Sequence, residues 1–246
     1  MRIPRIYTTA TLAANMSLLL EEAPSHHLSK VLRMQPGREL TVFNGTGGEY
    51  TAQITAVHKK QVEILLGSFD PVNRESPLAV ELAIGISKGE RMDWVVQKAT
   101  ELGVSRLTLL PTGRTEVRLQ GERLEKKMAH WQNIIISACE QCQRNRLPEL
   151  CYAADFNTWL EGVEAEQRFV LHHRDSQGLP DNTRARSVAL LIGPEGGLSD
   201  EEIRLALAQG FQPLTLGPRV LRTETAPVAA LSLVQYCWGD FRQSGE

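Results

Sequence analysis

The chain has 246 residues, 42% apolar and 23% charged, the composition of an ordinary globular protein with room for one large or two modest domains. No apolar run approaches the roughly 20 residues that cross a bilayer. The opening MRIPRIYTTATL has no secretory stretch, so a cytoplasmic protein without membrane attachment is expected. The net charge of −2 excludes binding of nucleic acid through a global field, and the balance runs from +1 over 1–73 through +2 over 74–150 to −5 over 151–246. Any RNA contact must therefore use local basic patches.

The first seventy residues read as β-rich. A short helix is expected over 25–34, capped by Ser25, with Leu28, Val31 and Leu32 on one apolar face and Pro36-Gly37 ending it. RELTVFN (38–44) and EYTAQITAV (49–57) flank a glycine-rich turn, and QVEILLGSF (61–69) is a third strand. In the second of these, Tyr50, Ala52, Ile54 and Ala56 alternate with polar residues, as in a half-buried antiparallel strand. DPVNRESP (70–77) reads as a linker. The rhythm then changes to strand–helix alternation. LAVELAIGI (78–86), RLTLL (106–110), RFVLHH (168–173), VALLIG (188–193) and PLTLG (213–217) are strands. Helices are expected over 91–103, 121–143, 199–210 and 225–241, the third opened by a Ser199/Glu202 capping box and the last with Pro227 in its first turn. Such alternation predicts an α/β domain with a parallel sheet covered by helices on both faces.

Four cysteines, Cys139, Cys142, Cys151 and Cys237, suggest no disulfide framework. Cys139 and Cys142 form a CxxC, but they continue the spacing Leu124, Met128, Trp131, Ile135 of a buried helix face, and no second close pair follows. No metal is expected.

In an open parallel sheet, ligands bind beyond the carboxyl ends of the strands. Two strands here run into glycine loops, Gly193-Pro194-Glu195-Gly196-Gly197 and Gly217-Pro218-Arg219-Val220-Leu221-Arg222. Glycines let backbone approach a flat ligand closely. Either loop alone could be an ordinary tight turn, and neither is a phosphate loop, because no GxxxxGK[ST] or GxGxxG occurs.

Strand–GPEGGLSDEE–helix followed by strand–LGPRVLRTETA–helix resembles the SPOUT methyltransferases. KGERMDWVVQKATELGV (88–104), EQCQRNRLPEL (140–150) and HHLSKVLRMQPG (26–37) are similar to the RsmE-type subfamily, and the likeness spans nearly the whole chain, weakest over 151–187. It implies a small PUA-like RNA-binding β-barrel over 1–72 and, over 73–246, a knotted parallel-sheet SPOUT methyltransferase domain with a C-terminal trefoil knot. Knots are nearly absent from proteins, so only the resemblance supplies this one. It implies S-adenosyl-L-methionine as cofactor, N3 of a uridine in 16S ribosomal RNA of the small subunit as the methylated atom, and a homodimer. The last helix fits a dimer, since Val228, Leu231, Leu233, Val234, Tyr236 and Trp238 spread over more than one face; a central helix of the monomer would look the same.

By the same resemblance Leu171, Gly193, Glu195, Gly196, Leu216, Gly217 and Leu221 form the cofactor pocket. Arg222 is the expected catalytic residue, its guanidinium fork stabilising charge on the uracil carbonyls, with an ion pair to Glu224 or Glu195 as its alternative. The base stays open among Glu224, His172, His173 and water. Arg2, Arg5, Lys30, Arg33, Arg91, Arg114, Arg118, Arg144 and Arg146 are the candidate RNA contacts, whereas Arg106, Arg123, Lys126 and Lys127 read as solvated surface. Two rival readings remain: a SPOUT enzyme acting on a ribose 2′-hydroxyl or on transfer RNA, and a PUA-containing RNA-binding or assembly protein with a vestigial catalytic domain.

Overall fold

The structure is a computed structural model that describes residues 3–117, 119–172, 178–179 and 184–242. By their contacts these divide into two units, residues 1–75 with 136–147 and residues 76–135 with 148–246.

The first unit holds a five-stranded sheet in the order β1-β3-β4-β5-β2. Its strands are β1 (Arg5–Tyr7), β2 (Ser17–Leu19), β3 (Glu39–Phe43), β4 (Glu49–Val57) and β5 (Val62–Asp70). The alternation in β4 has the expected effect: Ala52 and Ile54 are buried between exposed Thr51, Gln53 and Thr55. They join Ile6, Leu20, Leu40, Val42, Val62, Ile64 and Leu66 in one apolar cluster.

The helix expected over 25–34 is different. Helix α1 covers Glu22–His26 and runs into a π-helical turn over His27–Val31, closed by Leu32 N donating to the His27 carbonyl at 2.9 Å. A π turn holds more residues than an α turn, so it rotates the side chains after it. Leu28 and Met34 are buried, while Val31 and Leu32 are turned to solvent, which reverses part of the expected apolar face. Ser25 is not the cap. It is buried, and its hydroxyl donates to the Leu20 carbonyl and accepts from Val62 N, each at 3.0 Å.

The expected linker is pinned within this unit. Asn145 Nδ2 donates to the Val72 carbonyl at 3.0 Å, Arg74 Nη1 to the Gln143 carbonyl at 3.2 Å, and Arg144 Nε to Glu75 at 3.1 Å.

The second unit is built on a six-stranded sheet in the order β11-β9-β10-β6-β7-β8, every neighbouring pair parallel. Its strands are β6 (Ala79–Gly85), β7 (Arg106–Leu110), β8 (Glu149–Tyr152), β9 (Gln167–Leu171), β10 (Ser187–Ile192) and β11 (Gln212–Leu214). The near-continuous apolar runs of β6 and β10 are buried on both faces, as a central parallel strand requires. The helices are α2 (Glu90–Glu101), α3 (Gly121–Cys142, whose end from Ile136 belongs to the first unit), α4 (Phe156–Glu161), α5 (Asp200–Ala208) and α6 (Thr225–Trp238). The capping box of α5 is formed on both sides: Glu202 N donates to Ser199 Oγ and Ser199 N to the Glu202 carboxylate. Strand β8 and helix α4 are additions to the expected elements; α4 is six residues long, started by Asp155 accepting from Thr158 N at 2.8 Å.

After β11, at one edge of the sheet, residues 215–224 carry the chain to α6, which packs on β10 and α2. The resemblance puts its knot in this passage. Helix α6 buries Pro227, Ala230, Leu231, Val234 and Gln235, and leaves Tyr236 exposed. No described helix is long and apolar enough to cross a membrane.

Candidate cofactor and active site

The carboxyl ends of β9, β10 and β11 surround a cavity of about 280 Å³. Leu171, Gly193, Glu195, Gly196, Leu216, Gly217 and Leu221, the seven residues expected to hold a cofactor, all line it. Loop neighbours line it too, among them His172, Pro194, Gly197, Arg219, Val220 and Thr223. For Pro194, Gly197, Arg219 and Val220, membership in the same two glycine loops is the signal that could have found them, whereas His172 directly follows β9 and Thr223 directly follows the second loop. A larger cavity of about 400 Å³ lies at the amino ends of β6 and β10, lined by Glu81, Arg106, Glu149 and Glu164. It has neither glycine loop and sits at the end of the sheet where ligands seldom bind.

Close backbone approach shapes the first cavity. A Cβ on Gly193 would stand 2.6 Å from Gly197 C and from Leu198 N. A Cβ on Gly85, at the end of β6, would stand 2.4 Å from Pro194 Cδ. Gly197 N donates to the Pro194 carbonyl at 2.8 Å, and Gly197 has φ +68°, a left-handed conformation that glycine adopts without cost. Glu195 fastens the loop to the start of α2. Its carboxylate accepts from Lys88 N and from Arg91 Nη1, each at 3.0 Å. Burial pushes this carboxyl up, but backbone donation, chiefly from Lys88, and the Arg91 guanidinium outweigh it and hold the group below its ordinary range.

Arg222 is exposed, lies between the lining residues Leu221 and Thr223, and forms no ion pair among the described residues. Glu195 is paired with Arg91 instead, and Glu224 precedes α6 without a side-chain capping bond. Of the candidate bases, His172 lines the cavity, and His173 is outside the described residues.

The structure separates the candidate RNA cations. Lys30, Arg33 and Arg146 are exposed, and Arg33 holds a left-handed φ of +52° after the π turn. Arg91 and Arg114 are exposed but engaged, Arg91 with Glu195 and Arg114 Nη1 with the Gly196 and Leu198 carbonyls. Arg5 and Arg144 must be withdrawn as RNA contacts. Their side chains are only 7% and 5% exposed and are turned to Glu49 and Glu75. Arg2 and Arg118 lie outside the described residues. Among the expected surface cations, Arg106 pairs with Glu149 and Lys126 with Glu122. No cluster of His, Cys, Asp or Glu suited to a metal occurs among the described residues. Cys139 is buried on its helix face, and contact with Cys142 together with burial pushes its thiol far up, away from the thiolate.

Two family models match the chain, an RNA methyltransferase domain over residues 74–235 and an RNA methyltransferase PUA domain over 20–66. The chain is 38% identical over 243 residues to the ribosomal RNA small subunit methyltransferase E of Buchnera aphidicola subsp. Schizaphis graminum, covering 97% of this chain and 98% of that one. It is 32% identical to its namesake in Bacillus subtilis, covering 88% and 92%. Among solved structures, ribosomal RNA small subunit methyltransferase E of Neisseria gonorrhoeae, bound to S-adenosyl methionine, superposes with a TM-score of 0.89 at 35% identity over 98% of this chain and 100% of that one. A Legionella pneumophila protein described as a methyltransferase, in complex with the cofactor SAM, superposes with a TM-score of 0.95 at 48% identity, again over 98% and 100%. With both units matched and relatives aligned end to end, the chain belongs to the RNA methyltransferase family that includes the ribosomal RNA small subunit methyltransferases E.

Proposed function

We propose that this chain methylates N3 of a uridine in 16S ribosomal RNA of the small subunit, using S-adenosyl-L-methionine held in the cavity at the ends of β9, β10 and β11. The observation that carries the reading is the convergence of all seven expected residues on that one cavity. The wall suits such a cofactor. Leu171, Leu216 and Leu221 offer apolar surface to a purine, and the glycine loops bring backbone groups to its edge. Bound there, the cofactor supplies a methyl group on a sulfonium, already a good leaving group.

The harder task falls to the chain's own residues. N3 of uracil carries a proton, and its loss spreads negative charge over O2 and O4. Arg222, in solvent between two lining residues, can donate to one of those oxygens and favour the deprotonated ring. His172, which lines the wall, is a candidate to accept the proton. Lys30, Arg33 and Arg146 are free of ion pairs among the described residues and suit phosphate contacts that position the RNA. A flipped or single-stranded uridine then enters the site. The exposed face of α6, with Tyr236, supports a homodimer. The substrate places the work in the cytoplasm.

The test is to incubate the protein with labelled S-adenosylmethionine and small subunits that lack the modification, then to map reverse-transcription stops. N3 methylation blocks Watson–Crick pairing, so label and a stop are expected together. Label without a stop points to a ribose 2′-hydroxyl, and no label on any RNA points to a binding or assembly protein.

A further inference from the structure

We infer that Arg114 is a positioning residue for the cofactor loop and that Glu202 holds it in place. The inference rests on the reading of the cavity as the S-adenosylmethionine site. Arg114 lies in the connection from β7 to α3. That connection is folded back by Thr115 N donating to the Thr112 carbonyl at 3.0 Å and Thr112 N donating to Thr115 Oγ1 at 3.1 Å. The turn aims Arg114 at the GPEGG loop, where its Nη1 donates to the Gly196 carbonyl at 2.9 Å and to the Leu198 carbonyl at 3.1 Å. Its aliphatic stem lies against Gly196, so close that a Cβ there would stand 3.1 Å from Arg114 Cβ.

Both carbonyls belong to the irregular segment between β10 and α5, where no helix or strand partner is available to them. A charged donor is a strong substitute for that missing partner. Glu202 completes the device. It is 8% exposed; one carboxylate oxygen caps α5 through Ser199 N, and the other accepts from Gly113 N, beside Arg114, each at 2.7 Å. One buried carboxylate thus fixes the start of α5 and the loop that carries the arginine. The arginine in turn fixes the cavity wall between them. With Glu195 tied to Lys88 and Arg91 on the other side, the GPEGG loop is held from two flanks. Arg114, a candidate RNA contact by sequence, is assigned by this geometry to the cofactor instead.

The experiment measures S-adenosylmethionine binding by calorimetry and steady-state kinetics for the full chain, Arg114→Ala, Arg114→Lys and Glu202→Gln. Arg114→Ala should raise Kd and KM for S-adenosylmethionine about tenfold, the loss of roughly one charge-assisted hydrogen bond. The kcat at saturating cofactor and the KM for RNA should stay within about twofold. Arg114→Lys should recover most of the loss, because an ammonium can still donate to both carbonyls. Glu202→Gln, which keeps an acceptor for only part of the network, should show the same cofactor-specific pattern at smaller size and serves if Arg114→Ala does not fold. Wild-type cofactor affinity in both Arg114→Ala and Glu202→Gln overturns the inference while leaving the cavity reading intact. So does a rise confined to the KM for RNA, which returns Arg114 to the RNA surface. If the unaltered chain does not bind S-adenosylmethionine, the cavity reading fails and takes this inference with it.

Discussion

The three glycines of the GPEGG loop differ in why they are glycine, and substituting each by alanine should separate them. At Gly193 the added methyl meets the Gly197–Leu198 peptide bond, with both its carbon and its nitrogen at 2.6 Å, and backbone cannot swing aside as a side chain can. Overpacking of this kind costs about 1–3 kcal/mol, and with the clash falling on a peptide bond rather than on a side chain the upper end is expected. At Gly197 the methyl meets nothing within 4 Å, but φ is +68°, which costs a non-glycine residue about 1 kcal/mol. At Gly196 the nearest atom is Arg114 Cβ at 3.1 Å, on a side chain that can yield a few tenths of an ångström. If these costs fall on the cofactor-ready loop, at about 1.4 kcal/mol per tenfold the S-adenosylmethionine Kd rises about a hundredfold for Gly193→Ala and about fivefold for Gly197→Ala. For Gly196→Ala it rises about twofold or less. Calorimetric titration of the three variants, with urea melts to confirm folding, reads the series directly. Equal effects at all three positions, or wild-type binding by a folded Gly193→Ala, would refute the idea that backbone closeness shapes this cavity.

The same geometry makes further outcomes measurable. Arg222→Ala should lower kcat about 10²–10³-fold, the effect of removing one donor to a developing oxyanion, while cofactor affinity stays within a few-fold; collapse of cofactor affinity in a binding assay would make Arg222 part of the pocket. Lys30→Ala with Arg33→Ala should weaken RNA binding and flatten the slope of log K against log salt by about one to two units, measured by filter binding across salt concentrations. Burial pushes the Glu49 carboxyl up, but Arg5 and Arg74 more than offset this and leave it below its ordinary value of 4.5. Its stabilising effect is therefore complete above that value and lost as pH falls through the lowered folded-state value. Urea midpoints should drop below about pH 5, and Glu49→Gln should flatten that decline. If the proposed homodimer forms through the exposed face of α6, Tyr236→Lys, which places a charge there, should shift the sedimentation profile from dimer to monomer, and an unchanged profile would contradict that interface.

Much of the fold can be read locally. The alternation in β4, the apolar runs of β6 and β10, and the Ser199/Glu202 box act within a few residues, and each element forms where its pattern lies. The π turn does not announce itself this way. The spacing of Leu28, Val31 and Leu32 fits an α-helix, and only the packing of Leu28 and Met34 into the sheet reveals the extra residue. Helix α4 spans only Phe156–Glu161, too short for a helical period to stand out. The cations were the least legible. Arg5 and Arg144 resemble Lys30 and Arg33 as letters, but Glu49 lies 44 positions from Arg5 and Glu75 lies 69 from Arg144, so their burial is a tertiary fact. Arg114 is the same case, its carbonyl partners 82 and 84 positions along the chain.

Everything proposed for the site converges on the atom that receives the methyl group. After reaction with S-adenosylmethionine, 16S ribosomal RNA from the modified subunits is digested to nucleosides and separated by mass spectrometry against synthetic standards. The expected result is a single new product that co-elutes with 3-methyluridine, absent when Arg222→Ala replaces the wild-type chain. A product that co-elutes with 2′-O-methyluridine, or with any methylated nucleoside other than 3-methyluridine, would contradict the assignment of N3.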